Sequence, residues 1–234
     1  MKLEVRDLSK SFGGNEVLHG ISFSVESGNA LGLLGRNGAG KTTTIRILMN
    51  VFKGNAGSVL LDGKPFDPAK HQIGYMPEER GLYQKKTVSE QLIYLGMLRG
   101  LSAKKAKENM KKWLAKMEVS EYENRKLETL SKGNQEKVAL ILVMSRNAKL
   151  YILDEPIGGV DPAARDYILH TILSNYNEHA TILISTHLIS DIENILDRVL
   201  FIQNGELVLN ATVNDIRSEQ KKSVDALFRE VFKC

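Results

Sequence analysis

The chain lacks a second cysteine. Its only one, Cys234, is the last of 234 residues, so no disulfide can close within the chain and a reducing compartment is expected. A long apolar run is missing too. Val138-Ala139-Leu140-Ile141-Leu142-Val143-Met144 is among the longest, far short of the roughly 18 residues that span a bilayer. If the activity involves a membrane, another chain must cross it. No secretory leader is expected, because Met1-Lys2-Leu3-Glu4-Val5-Arg6-Asp7 mixes charge with apolar residues from the start. Internal repeats and low-complexity tracts are absent. Neither sign of charge dominates: 32 basic and 28 acidic side chains leave +4, which suits a phosphate ligand, an anionic membrane face or an ordinary surface equally. The length allows one large domain or two small ones.

What the chain does have is a phosphate cradle. Gly35-Arg36-Asn37-Gly38-Ala39-Gly40-Lys41-Thr42 fits G-x-x-x-x-G-K-[ST]. Average glycine usage makes such a match by chance roughly a one-in-a-hundred event in a chain this long. The setting narrows it further. Ala30 to Leu34 reads as a buried strand entering the loop, and Thr42-Thr43-Thr44-Ile45-Arg46-Ile47-Leu48-Met49 as a helix leaving it. Glycines let the backbone curl with its N–H groups facing one point. In such a loop the lysine, here Lys41, reaches the β- and γ-phosphates, and the Thr42 hydroxyl becomes a Mg²⁺ ligand. The expected ligand is a nucleoside triphosphate.

Around this loop the pattern changes along the chain. Leu3, Val5 and Leu8 begin one strand, and Ile21, Phe23 and Val25 alternate through another. Asp62-Gly63 and Asn204-Gly205 each sit between apolar runs, the mark of a tight hairpin. Thr87 and Glu90 form a candidate capping box ahead of Leu92, Leu95 and Leu98. Ala103, Ala106, Met110, Trp113 and Met117 follow at helical spacing and read as a core stripe. Residues from about 82 to 146 therefore read as a helical lobe inserted into a nucleotide-binding core. Tyr151-Ile152-Leu153 and Thr181 to Ser185 return to the composition of buried parallel strands. From Ser218 the tail is charged, then amphipathic (Val224, Leu227, Phe228, Val231, Phe232), and is expected to dock on its own domain.

Two further clusters carry chemistry. Leu150 to Leu153 is an apolar strand that ends in Asp154 and Glu155. Such a strand delivers one carboxylate to hold Mg²⁺, and the next acid can orient or deprotonate a water. A solvated turn is the plainer reading of the same two acids. Leu130-Ser131-Lys132-Gly133-Asn134-Gln135 precedes a helix running through Met144, whose N-terminus is a second anion site or simply a cap.

Taken together and in this order, the pieces resemble the nucleotide-binding subunit of ATP-binding cassette (ABC) transporters, over about residues 2 to 216. The resemblance implies an α/β fold. Its P-loop NTPase (RecA-like) core would cover about 1–81 and 147–217, with an antiparallel β subdomain and an inserted helical subdomain at about 82–146. Residues 218–234 would form a tail. Residues 130 to 134 match the family's Leu-Ser-Gly-Gly-Gln, with Lys132 and Asn134 departing. In that family two cassettes pack head to tail, so Ser131, Lys132, Gly133 and Asn134 would face the γ-phosphate held by a second copy, in a closed two-fold pair. Lys132 would add a cation there. Phe12 matches the aromatic that stacks on adenine, although an apolar residue at a strand end needs no such role. In Gly158-Gly159-Val160-Asp161, Asp161 is retained, while Gly158 replaces a serine that bonds across the pair. His187 matches the histidine that contacts the γ-phosphate, and Glu155 the catalytic acid. Glu78 stands where many members have a glutamine that touches Mg²⁺; a carboxylate also ligates Mg²⁺ but adds negative charge.

Within the family, Pro77 to Tyr83 together with Leu130 to Gln135 resemble the ABC-2 type export group. That implies an ATPase on the cytoplasmic face of a membrane, working with transmembrane permease subunits and binding no nucleic acid. Two rival readings are a soluble cassette that clamps elsewhere and a module that holds ATP without cleaving it. A single copy without a coiled-coil insert speaks against the first, and the retained Glu155 against the second.

Overall fold

The computed structural model describes residues 1–175 and 179–233, so Cys234 lies outside the described residues. Two long strands, β1 (Lys2–Phe12) and β2 (Asn15–Glu26), lead to β3 (Ala30–Leu34) and, past the glycine-rich loop, to α1 (Lys41–Leu48). Strands β4 (Ala56–Leu61), β5 (Lys64–Pro65) and β6 (Ile73–Met76) follow. Three helices come next: α2 (Val88–Leu98), α3 (Ala103–Lys116) and α4 (Lys132–Met144). The chain then runs through β7 (Leu150–Asp154), α5 (Pro162–Asn175), β8 (Thr181–Thr186) and the short α6 (Ile189–Ile192). It ends with β9 (Arg198–Gln203), β10 (Glu206–Thr212), α7 (Val213–Glu219) and α8 (Val224–Val231).

The strands form two sheets. One is antiparallel, in the order β2-β1-β4-β5. The other has the order β10-β9-β3-β8-β7-β6; it is parallel except at its β9–β10 edge. The parallel strands are apolar at nearly every position because both faces of the sheet are covered. Their alternate residues serve different cores. Leu31, Leu33, Ile152, Leu183, Leu200 and Ile202 face the antiparallel sheet and α1. Leu34, Tyr151, Leu153, Ile182, Ile184 and Phe201 face the helices. The molecule is thus an α/β sandwich of antiparallel sheet, mixed sheet and helices.

Both hairpin signals hold. Asp62 and Gly63 have φ of 50° and 75°, and Asn204 and Gly205 have 47° and 80°, the two positive values that a tight I′ turn demands. The Thr87–Glu90 capping box forms in full at the start of α2. Ala106, Met110 and Met117 lie in the core as the helical spacing implies, joined by Leu114. Ala103 and Leu98 differ from the expectation: both are exposed, at the ends of α3 and α2 where the chain turns from one helix to the other.

The tail docks on its own domain. Phe228 and Phe232 stack at 4.0 Å, and Phe201 of β9 meets Phe228 edge-on at 5.2 Å. The expected start of the tail, residue 218, falls inside α7. At the far end of α8 the Phe232 carbonyl accepts a 2.9 Å hydrogen bond from Arg36, so the last helix is tied to the phosphate loop.

Candidate functional site

Three neighbouring parallel strands, β3, β8 and β7, end on one edge and deliver the chemistry there. Beyond β3 the loop turns tightly. A side chain at Gly35 would strike the Ile202 carbonyl at 2.5 Å, and Gly40, at φ 109°, caps α1 in a conformation that L side chains rarely adopt. The β9–β10 hairpin braces the loop from behind, with the Gly205 amide donating to the Ala39 carbonyl at 3.0 Å. The N-terminus of α1 points its free amides and its positive dipole end into the resulting hollow of about 250 Å³, lined by residues 37–43.

Lys41 is 6% exposed and its ammonium is surrounded by oxygen. It donates to the carbonyls of Gly35 (2.8 Å) and Arg36 (3.1 Å) and pairs with Glu155 at 3.4 Å. Those three contacts match its three N–H donors. The Thr42 hydroxyl lies 3.3 Å from Glu78 and 3.4 Å from Asp154, and its single proton serves one of them at a time.

Asp154 is fully buried at the end of β7. Ser185 of β8 donates to its Oδ1, whereas its Oδ2 has no protein partner. Burial raises its pKa; the Ser185 and Thr42 hydroxyls oppose that, and Glu78 and Glu155 add to it. Glu155 follows with φ 48°, left-handed for a non-glycine residue. Its amide is held by the Ser185 carbonyl at 3.0 Å, and its carboxylate accepts from Thr186 at 3.0 Å and meets His187 Nδ1 at 3.1 Å.

These groups border a cleft of about 620 Å³, to which Asn37, Glu78, Arg80, Lys132, Glu155 and His187 contribute. The Lys132 ammonium fills the space that a side chain at Gly159 would need, so this lysine reaches over the cleft of its own chain. Phe12, Ser131, Gly133, Asn134 and Asp161 stand outside these linings among the described residues. Phe12 is 47% exposed, edge-on to Phe52 at 5.3 Å with the Lys10 ammonium over its ring. Ser131 caps α4 through the Asn134 amide at 3.4 Å, and Asp161 stands just before Pro162, the first residue of α5.

Four residues that sequence reasoning missed complete the site. Ser185 and Thr186 hold the two carboxylates, and Arg80 joins Glu136 to the backbone beside them. A sequence signal for Glu136 did exist: an acid in helical register with Leu140 and Val143 needs a buried partner.

The donor set fits a magnesium nucleotide. An orphaned buried carboxylate oxygen, a threonine hydroxyl and a second carboxylate are hard oxygen ligands for Mg²⁺. No group of three or more His, Cys, Asp or Glu that could hold a metal ion by itself occurs among the described residues.

Residues 18–158 match the ABC transporter family. An ABC transporter ATP-binding protein of Methanocaldococcus jannaschii is 40% identical over 92% of this chain and 79% of its own length. The linearmycin resistance ATP-binding protein LnrL of Bacillus subtilis is 32% identical over 92% of this chain and 71% of its own. A solved structure described as the ATP-binding subunit of an ABC transporter superposes with a TM-score of 0.86 at 30% identity, covering 99% of this chain and all of that one.

Proposed function

This chain belongs to the ABC transporter family as an ATP-binding subunit, and on that premise we propose that it hydrolyses ATP to drive an exporter. It does so as a head-to-tail pair at the cytoplasmic face of a membrane, acting on separate membrane-spanning subunits. One observation carries the reading: Lys41, Thr42, Asp154, Glu155 and His187 converge at the ends of three adjacent strands.

Lys41 and the loop amides hold the β- and γ-phosphates. Thr42, Asp154 and Glu78 would hold Mg²⁺, which when bound would neutralise charge on the phosphate oxygens. Glu155, aimed by Thr186 and His187, accepts the proton of the attacking water. The water oxygen bonds to the γ-phosphorus, the β–γ bridging bond breaks, and ADP departs. The His187 ring, 40% exposed beside Glu155, faces the γ-phosphate. Ser131 and the N-terminus of α4 reach the γ-phosphate of the other copy, and Phe12 offers its exposed face to adenine.

The exposed Tyr83, Tyr94 and Met97 border a groove of about 580 Å³ on the helical lobe. Apolar surface of that kind marks an interaction site, which supports the lobe as the contact for a membrane partner. No helix among the described residues is long and apolar enough to cross a membrane itself. The resistance named for the Bacillus relative supports outward transport.

Turnover tests the proposal. Glu155→Gln is expected to keep ATP affinity and lose at least about a hundredfold in hydrolysis. Lys41→Ala is expected to lose affinity itself, measured by calorimetry. Near-parental turnover in Glu155→Gln would remove that residue from the mechanism.

A further inference from the structure

Arg80 makes contacts that the proposed mechanism leaves unexplained. Its Nε pairs with Glu136 of α4 at 2.5 Å, with the two side chains 12% and 6% exposed. Its Nη1 shares two protons among the carbonyls of Pro77, Glu78 (3.1 Å) and Asp154 (3.1 Å), and its Nη2 donates to the carbonyl of Glu155 (2.8 Å). One guanidinium therefore joins three segments that are remote in sequence: the inserted lobe, the backbone that carries Glu78, and the end of β7 that carries both other acids. A planar fork of five donors can do this and an ammonium cannot.

The placement matters because Glu155 is held in a left-handed backbone conformation. Such a conformation persists only where the surroundings over-determine it. On one side its amide is fixed by Ser185, and on the other its carbonyl is fixed by Arg80. Glu136 supplies the counter-charge that makes a nearly buried guanidinium tolerable. Its carboxyl is raised by burial and held back by Arg80.

We propose that Arg80 is a positioning residue that links the helical lobe, through Glu136, to the carboxylates Glu155 and Glu78. The placement of α4 then sets the geometry of the hydrolytic acid. This inference rests on the ATPase reading for its consequence, though not for its structural content.

Hydrogen exchange tests the linkage without nucleotide. Glu136→Gln, which keeps the side chain's size, is expected to speed amide exchange across residues 154–159 by about fivefold or more and to leave β3 unchanged. Arg80→Lys is expected to do the same. In turnover, both variants should lose about tenfold to a hundredfold in kcat, with ATP affinity within about threefold of the parent, as a misplaced group does. Unchanged exchange across 154–159 in Glu136→Gln would overturn the linkage, whether or not Arg80→Lys folds. So would a loss confined to affinity with kcat intact. A parent chain that binds ATP without cleaving it would instead contradict the ATPase reading, and the exchange result would still decide the linkage.

Discussion

Asp154 shows what the site costs the fold. Its carboxylate is fully buried, one oxygen has no protein partner, and Glu78 and Glu155 stand close by. Burial raises its pKa above the ordinary 3.8, so the folded state binds the proton more tightly than the unfolded chain does. Its stability contribution is then full below that ordinary value and is lost as pH rises through the raised one. At neutral pH the charge is a liability that Mg²⁺ would relieve. Asp154→Asn should therefore raise Tm at pH 7 by a few degrees, on a scale of ~2–4 °C per kcal/mol, while Mg²⁺-dependent hydrolysis is lost. A lower Tm by calorimetry would contradict this. The groups proposed to act on ligand could be picked out in the sequence because each sits in a short local pattern: Lys41 in its glycine loop, Asp154 and Glu155 at an apolar strand's end, and His187 after Thr186. Ser185, Thr186, Arg80 and Glu136 could not. Their roles depend on β8 lying beside β7 and on α4 folding back over the loop after β6, contacts between distant parts of the chain.

Among the elements, α8 is tied to the phosphate loop from the far end of the chain. Its aromatic face closes the core on β9, the strand that neighbours β3, and its last turn accepts a hydrogen bond from Arg36. The amphipathic spacing of Val224, Leu227, Phe228 and Phe232 announced a docked helix. Nothing local announced the bond to Arg36, since that contact spans nearly the whole chain. Phe228→Ala removes a 6% exposed ring from this packing and should cost about 3–5 kcal/mol in urea unfolding. A cost under about 1 kcal/mol would mean that α8 is dispensable to the core. The hairpins at Asp62-Gly63 and Asn204-Gly205 were the easiest elements to read, because two consecutive positive φ values favour Asn-Gly, Asp-Gly or Gly-Gly.

At the scale of the whole molecule, the chain presents half of what the proposed chemistry needs on each of two surfaces. The cleft and the adjoining hollow gather Asn37, Lys41, Lys132, Glu155 and His187, while Ser131, Gly133 and Asn134 stand outside both linings. A second copy turned head to tail would bring the missing half to each cleft, and nucleotide bound between the copies would favour the pair by mass action. The most direct measurement is sedimentation of Glu155→Gln with and without Mg²⁺ and ATP. The account predicts a single 26.1 kDa species without nucleotide and one of about twice that mass when ATP is saturating. A species that keeps the single-chain mass while calorimetry shows ATP bound would contradict it.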